Sequence, residues 1–224
     1  MRRATTRRQA AARGPLERQA RAALKAAGTN LARLERTCGR AVAAAAEAVI
    51  ACLESGGTVY FCGNGGSAAD AQHLACELSG RYLMDRPALA AIALTTNTSA
   101  VTAIGNDYGF DEVYARQLDG LGSPGDVLVA ITTSGRSPNV LKAVQGAHRL
   151  GMVVIGMTGQ PGARFAAMCD LALVTPHAAT PRIQEGHIAM GHIMCELVER
   201  AMFDRPGRGS AARRGGHRGA TRRS

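Results

Sequence analysis

The sequence contains no Trp, and aromatic residues make up only 4% of its 224 positions. A hydrophobic content of 46% nevertheless supplies enough apolar side chains for one substantial core. That core must be built from Ala, Leu, Val, Ile and Met, which suits helices packed on a parallel sheet. We therefore expect one domain, or at most two.

Long apolar runs and paired cysteine motifs are also missing. No run of about 18 apolar residues occurs, so the sequence predicts no membrane-spanning helix. The Ala-rich stretch 41–52 is interrupted by Glu47 and indicates a core helix. The six cysteines show no CxxC spacing and lie mostly in apolar stretches, which favours reduced, buried thiols and a cytoplasmic location over disulfides or a zinc knuckle.

The net charge of +10 is concentrated at the two ends of the chain. Residues 1–14 carry five Arg and no acidic residue, and residues 205–224 carry seven Arg and no acidic residue. Subtracting these twelve charges leaves −2 for residues 15–204, so composition predicts no basic face on that part. We predict a single domain over 15–204 with disordered basic tails, and we expect nucleic acid to bind only through those tails, if at all.

Short apolar runs alternate with helical patterns after a long Ala- and Leu-rich helical segment, 16–55. This alternation predicts an α/β fold, a doubly wound and mostly parallel five-stranded sheet flanked by helices, with a long N-terminal helix. Ligands of such sheets bind beyond the carboxyl ends of the strands. The segments that read as strands are 58–62, 90–94, 127–132, 152–157 and 171–174, and the last helix is 181–202.

Polar loops follow the first and third predicted strands. The first strand leads into GNGGSAADAQHL, where glycines let backbone amides approach an anion at the start of a helix. Four hydroxyl side chains surround one glycine in the second loop: Thr132, Thr133, Ser134 and Ser137. Each loop alone is also compatible with an ordinary strand-to-helix turn, but the two together predict a phosphate site. Asn106 and Asp107, after the second strand, could meet sugar hydroxyls.

Two predicted helices carry candidate metal ligands. His73 and Glu77 are four residues apart, so their side chains lie on one face of a helix. Gln184 and His192 are eight residues apart on the last helix, which leaves them roughly 80° apart around its axis. Facing each other, the two pairs would offer nitrogen and oxygen donors that suit zinc, although an amide oxygen is an unusual zinc ligand. Taken singly, each residue also has a structural explanation, as a core histidine or a helix-surface charge.

Four motifs in order give the chain a resemblance to the phosphoheptose isomerases, sugar-isomerase (SIS) domain enzymes that act on sedoheptulose 7-phosphate. The motifs are CGNGGSAADAQHLACEL, GNDYGF, GDVLVAITTSGRSPNV and RIQEGHIAMGHI, and the resemblance covers about residues 20–202. It implies a SIS-type, flavodoxin-like fold and a phosphorylated seven-carbon sugar as substrate. It also implies one zinc ion per subunit and a homotetramer with active sites between subunits.

The resemblance implies roles for individual residues. The positions that match the family's metal ligands are His73, Glu77, Gln184 and His192. The positions that match its substrate contacts are Asn64, Gly65, Gly66, Ser67, Glu77, Asn106, Asp107, Thr132, Thr133, Ser134, Ser137 and Gln184. Cys76 departs from the pattern, since many relatives have an acid there, and we expect this change to leave catalysis intact.

The expected reaction converts sedoheptulose 7-phosphate to D-glycero-D-manno-heptose 7-phosphate by moving a proton between C1 and C2 through an enediol. Glu77 is the predicted base and His192 the predicted acid. A metal near the carbonyl would stabilise the developing enediolate. Because a zinc ligand is less free to exchange protons, the metal role and the proton-transfer role of these side chains compete in part.

Two other classes of protein share this fold. Non-catalytic SIS-domain proteins that associate with the bacterial replication initiator do not keep a carboxylate and an imidazole at the positions matching Glu77 and His192. This chain has both, which favours the enzyme. A sugar-phosphate-sensing regulator would need a helix-turn-helix segment, and the Arg-rich ends are too short and too Gly-rich for one.

Overall fold

The computed structural model describes residues 2–204, with side chains from Gly14 onward. Two short 3-10 turns, Phe110–Glu112 and Gln160–Gly162, accompany the helices and strands. In chain order the helices and strands are α1 (Arg2–Glu54), β1 (Val59–Gly63), α2 (Gly66–Ser79), β2 (Ala91–Ala93), α3 (Thr98–Asp107), α4 (Ala115–Leu121), β3 (Val127–Ile131), α5 (Pro138–Arg149), β4 (Val153–Gly159), α6 (Ala163–Ala166), β5 (Leu171–Thr175) and α7 (Thr180–Phe203).

The five strands form one sheet in the order β2-β1-β3-β4-β5, and every neighbouring pair is parallel. This order is that of flavodoxin-like doubly wound sheets, so the predicted fold class is confirmed. Each strand lies within two residues of its predicted bounds. The strand prediction succeeded because β1 and β3 are buried along their whole length and read as continuous apolar runs.

Helices cover both faces of the sheet and create two cores. Side chains from α1, α2 and α7 pack with Val59 and Phe61 on one face. Side chains from α4, α5 and α6 pack with Tyr60 and Cys62 on the other face. Alternate residues of β1 thus serve opposite cores, as the period of a strand requires. Because all strands are parallel, their carboxyl ends share one edge, where the loops leading into α2 and α5 lie side by side.

Helix α1 begins at Arg2, whereas the sequence predicted a start near Leu16 after a disordered tail over 1–14. The early start has a physical reason, since Arg, Ala and Gln are strong helix formers and predominate in residues 2–13. Pro15 lies inside the helix and cannot donate a backbone hydrogen bond there. The tail predicted over 205–224 lies outside the described residues, and the domain limits 15–204 stay a prediction.

All six cysteines lie within the described range, and none of them forms a disulfide. Cys38, Cys52, Cys62 and Cys195 are buried, whereas Cys76 is exposed. Over residues 2–204, no helix combines the length and the apolar character that crossing a bilayer would require.

Candidate active site

Three of the four predicted metal ligands converge where α2 passes α7. The Nε2 atom of His73 lies 2.7 Å from Nε2 of His192 and 3.2 Å from Oε1 of Glu77. The three donor atoms lie within 4.8 Å of one another. His73 is exposed, and the other two side chains are partly buried, so a ligand can reach the group from solvent. We call His73, Glu77 and His192 the trio.

The close approach of the two helices depends on a residue beside the trio. A Cβ atom on Gly191 would lie 2.6 Å from both δ-carbons of Leu74, so a larger side chain would force the helices apart or displace Leu74. Gly191 precedes His192 in α7, and Leu74 follows His73 in α2. The spacing of the trio is therefore tied to this contact.

The donor set of the trio fits zinc. Two imidazole nitrogens and a carboxylate oxygen are common ligands of this ion, at about 2.0–2.2 Å. Tetrahedral ligands at that distance lie about 3.3 Å apart, so the two histidine nitrogens would separate by about half an ångström to hold zinc. The 2.7 Å separation also suits a hydrogen bond from one imidazole N–H to the other ring, in a direction that depends on the tautomers.

Gln184, the fourth predicted ligand, lies about two turns before His192 on α7. Its side chain packs against the first loop, because a Cβ atom added to Gly66 would collide with its Nε2 atom. Glycine at position 66 therefore makes room for this amide. The contact joins Gln184 to the predicted phosphate loop, and its role as a metal ligand stays a prediction.

The first loop connects β1 to α2 through residues 63–67. Gly65 has a φ of +55°, a conformation that favours glycine, and it starts α2 without a side-chain cap. Ser67 is buried and donates its backbone N–H to the Asn64 carbonyl at 3.0 Å. The positive end of the α2 dipole thus faces the carboxyl edge of the sheet, where it favours an anion.

In the second loop, 132–137, several hydroxyl groups contact other atoms of the same loop. Oγ1 of Thr132 lies 3.3 Å from Oγ of Ser137 and accepts the backbone N–H of Gly135 at 3.3 Å. The Ser134 hydroxyl accepts the N–H of Arg136 at 3.3 Å. Ser137 precedes α5 but makes no side-chain cap, so capping alone does not account for its hydroxyl. Thr133, also in this loop, is partly buried.

Sequence reasoning missed two residues that hold the first loop in place. Asn64 and Asn139 exchange amide hydrogen bonds, with Nδ2 of Asn64 2.8 Å from Oδ1 of Asn139 and the reverse pair at 2.9 Å. The buried Tyr114 donates its O–H to the Gly63 carbonyl at 2.5 Å. The only signal for Asn139 is an amide among the apolar residues of α5, and Tyr114 has the appearance of an ordinary core residue. The first loop is therefore linked to the start of α5, directly after the second loop.

Asn106 and Asp107 lie at the end of α3 rather than in a loop, and both are exposed. The Asn106 side chain donates to Oδ1 of Asp107 at 2.7 Å. None of the hydrogen bonds described for residues 14–204 links these two side chains to the trio or to either loop. Their predicted role as substrate contacts stays a prediction.

Three titratable groups near the trio have shifted pKa values. Burial raises the pKa of Tyr82, whose ring centroid lies 5.9 Å from that of His192, and Glu196 raises it further. Burial raises the pKa of Asp70, and His73 opposes this shift. His187 is fully buried in α7, and burial lowers its pKa to about 4. The nearby Thr158 backbone opposes this shift, although it forms no well-formed hydrogen bond with either ring nitrogen of His187. A histidine that stays neutral and enclosed cannot donate a proton to a substrate, so His187 is not a candidate for the acid.

The chain is similar to known proteins along most of its length. A family model described as SIS domain matches residues 24–159. A phosphoheptose isomerase from Rhodospirillum rubrum is 58% identical over 165 residues, which are 74% of this chain and 88% of that protein. A second phosphoheptose isomerase, from Desulfovibrio desulfuricans, is 54% identical over 156 residues, 70% of this chain and 74% of that protein. The solved phosphoheptose isomerase from Neisseria gonorrhoeae superposes with a TM-score of 0.78 at 46% identity, covering 82% of this chain and 98% of that one.

Proposed function

Because this chain belongs to the phosphoheptose isomerase family of SIS-domain proteins, we propose that it converts D-sedoheptulose 7-phosphate to D-glycero-D-manno-heptose 7-phosphate. It is an aldose-ketose isomerase that acts on a phosphosugar. The observation that carries this function is the trio, in which a carboxylate and two imidazoles converge within 4.8 Å between α2 and α7. The relatives named above are isomerases and give the non-catalytic alternative no support.

The substrate phosphate is bound by the two loops. The second loop offers hydroxyl groups, and the first offers backbone amides at the positive end of α2. The sugar hydroxyls are contacted by the remaining predicted residues. Taken together, the proposed substrate contacts are Asn64, Gly65, Gly66, Ser67, Glu77, Asn106, Asp107, Thr132, Thr133, Ser134, Ser137 and Gln184.

Glu77 and His192 move the protons. The Glu77 carboxylate removes a proton from C1 of the ketose, while His192 protonates the C2 carbonyl oxygen to give the enediol. Loss of the O1 proton and return of a proton to C2 then give the aldose. The donor atoms of Glu77 and His192 lie within 4.8 Å of each other, so the two groups can act on neighbouring atoms of one substrate.

One zinc ion per subunit would be held by His73, Glu77, Gln184 and His192, and when bound it would polarise the sugar carbonyl. The donor atoms of the trio support this assignment, and Gln184 is the ligand that the geometry supports least. Glu77 and His192 appear in both the metal set and the proton-transfer set. The experiment below separates the two roles.

We also propose that the chain forms a cytoplasmic homotetramer. An apolar groove of about 450 Å³ between α1 and α7, with exposed Leu31, Ile193 and Leu197 along it, supports self-association. Six free cysteines suit a reducing compartment. Exposed Asn106 and Asp107 would meet substrate across a subunit boundary if the active sites lie between subunits.

Purified full-length protein is expected to isomerise sedoheptulose 7-phosphate, to lose this activity with a chelator and to regain it with zinc. Glu77→Gln and His192→Gln should each lower kcat by about three orders of magnitude, because each removes a proton-transfer group. Zinc content measured on the same samples separates loss of metal from loss of proton transfer.

Cys76→Ser is the matched control, since Cys76 is exposed and adjoins Glu77 on α2. It should retain nearly full activity. Wild-type rates in Glu77→Gln and His192→Gln would reject the proton-transfer roles, and a wild-type protein without turnover would reject the function.

A further inference from the structure

A buried ion pair joins the end of α2 to α7 below the trio. Nε of Arg86 lies 2.8 Å from Oε2 of Glu199, and the two side chains are only 1% and 2% exposed. Glu199 follows His192 by seven residues, two turns along the same face of α7. Burying two charges is costly, and an apolar pair is often at least as stable, so stability alone does not explain this pair.

Arg86 caps the helix that carries Glu77. Its NH2 group donates to the backbone carbonyl of Glu77 at 2.7 Å, and its NH1 group donates to the carbonyl of Leu78 at 2.8 Å. These carbonyls belong to the last turn of α2, which has no further helical N–H groups to pair with. A cation there also opposes the negative end of the helix dipole. The guanidinium thus fixes the turn from which the Glu77 side chain projects.

Glu199 fixes the segment that follows α2. Its carboxylate accepts backbone N–H groups from Tyr82 at 3.0 Å and from Leu83 and Met84 at 2.7 Å each. Burial alone would raise the pKa of Glu199, but these bonds and Arg86 outweigh it and lower the pKa, so the group stays ionised. The segment in turn holds the Tyr82 ring against the His192 ring.

We propose that the Arg86–Glu199 pair is a positioning device that keeps His73 and Glu77 of α2 in register with His192 of α7. The inference rests on the proposed function, because it takes the trio as the site of metal binding and catalysis. Within residues 14–204, the hydrogen bonds of Arg86 and Glu199 reach backbone atoms around the trio and none of the trio's side chains. Loss of groups that orient metal ligands typically weakens metal binding 10- to 100-fold.

The test compares Arg86→Lys and Glu199→Gln with a control that removes another buried carboxylate elsewhere. Asp126 accepts the backbone N–H groups of Thr58 and Ser123 at 2.8 Å each, at the amino ends of β1 and β3, on the edge of the sheet opposite the site. Asp126→Asn should therefore destabilise the fold without reaching the trio. Urea unfolding of all three variants establishes how far their stabilities match.

Zinc affinity is measured on metal-stripped full-length protein by competition with a chromophoric chelator, and the absorption spectrum with cobalt(II) reports ligand geometry. Arg86→Lys and Glu199→Gln should bind zinc about 10- to 100-fold more weakly and change the cobalt spectrum. Asp126→Asn should stay within about twofold of wild type at a similar loss of stability, because its site is remote. With sedoheptulose 7-phosphate, kcat should fall in the first two variants more than KM rises, since the phosphate loops are untouched.

The proposal would be overturned if Arg86→Lys and Glu199→Gln had lower stability but kept the zinc affinity and cobalt spectrum of wild type. The pair would then contribute to stability alone. If Glu199→Gln does not fold, Arg86→Lys by itself tests the proposal. Lysine keeps the positive charge, but it lacks the planar, forked guanidinium with which Arg86 reaches both carbonyls. Wild-type protein reports separately on the proposed function. If wild type binds zinc without isomerising the sugar phosphate, the proposed function is wrong. The zinc affinities of the variants relative to wild type still test the role of the Arg86–Glu199 pair.

Discussion

At the scale of single residues, Tyr114 and Asn139 help to hold the two loops that we propose to bind the phosphate. Burial raises the pKa of Tyr114, so its phenol remains a hydrogen-bond donor at neutral pH. It donates to the Gly63 carbonyl, at the start of the first loop, and its oxygen lies 3.2 Å from Oδ1 of Asn64. Asn64 in turn pairs with Asn139 at the start of α5. These contacts preorganise both loops, which reduces the entropy lost on binding substrate.

Replacing Tyr114 with Phe removes this donor and leaves the buried Gly63 carbonyl without its partner. The free energy of unfolding should fall by about 1–2 kcal/mol, the usual cost of an unsatisfied buried group. The KM for sedoheptulose 7-phosphate should rise several-fold, because the first loop loses its anchor. Urea unfolding and steady-state kinetics measure the two effects.

Tyr60→Phe is the control, since the Tyr60 O–H donates to the Leu121 carbonyl at 2.8 Å, away from both loops. It should lose similar stability and keep the wild-type KM. An equal KM in both variants would mean that the Tyr114 hydrogen bond has no effect on substrate binding by the loops.

At the scale of elements, the site depends on how closely α2 and α7 pack. Leu74 and Met194 are fully buried between the helices, and the Arg86–Glu199 pair joins them lower down. Gly191 allows the closest approach, because no side chain separates it from Leu74. The two helices carry all three side chains of the trio, so a change in their spacing changes the site.

Gly191→Ala introduces a methyl group that would lie 2.6 Å from the Leu74 δ-carbons. Overpacking of this kind typically costs about 1–3 kcal/mol, and we expect a loss of stability in that range. Zinc affinity should fall as well, because a displacement of α2 against α7 misaligns His73 and Glu77 of one helix with His192 of the other. Urea unfolding and chelator competition measure both changes.

Gly120→Ala controls for the change of residue type. Gly120 is exposed within α4, and an added Cβ atom would meet nothing within 4 Å. Alanine is the better helix former, so this variant should be as stable as wild type or slightly more stable, with unchanged zinc affinity. Wild-type zinc affinity in Gly191→Ala would show that the site tolerates a wider helix spacing.

At the scale of the whole molecule, one surface is apolar and lies next to the site. The groove between α1 and α7 is lined mainly by aliphatic side chains. Ile193 is 48% exposed at its rim and directly follows His192. Association through this surface would bury these side chains and bring a second subunit close to the trio.

Ile193→Glu puts a charge on this surface and should convert the proposed tetramer to a smaller species, because a buried unpaired charge is costly. Size-exclusion chromatography with light scattering measures the mass. Leu121→Glu is the matched control, since Leu121 is 50% exposed at the end of α4. If Ile193→Glu remained a tetramer of unchanged stability, this surface would be excluded as an interface. If the wild-type protein were a monomer, the proposed tetramer would be wrong.

The sequence was sufficient to predict the fold and part of the site. Continuous apolar runs predicted all five strands. Strands β1 and β3 are buried along their whole length, and such strands admit few polar residues. The spacing of His73 and Glu77 predicted a shared face, since that relation is internal to one helix. The predicted start of α1 near Leu16 was wrong, because the strong helix formers of residues 2–13 extend the helix to Arg2.

By itself, the sequence determined what each element is and which of its faces is apolar, because these properties repeat with the period of the helix or strand. Only the tertiary structure decided which faces meet. The 2.7 Å contact of His73 with His192 spans 119 residues, and the Arg86–Glu199 pair spans 113. Contacts over such separations depend on how side chains of different elements fit together. The need for glycine at position 191 can therefore be explained only once the opposing Leu74 is known.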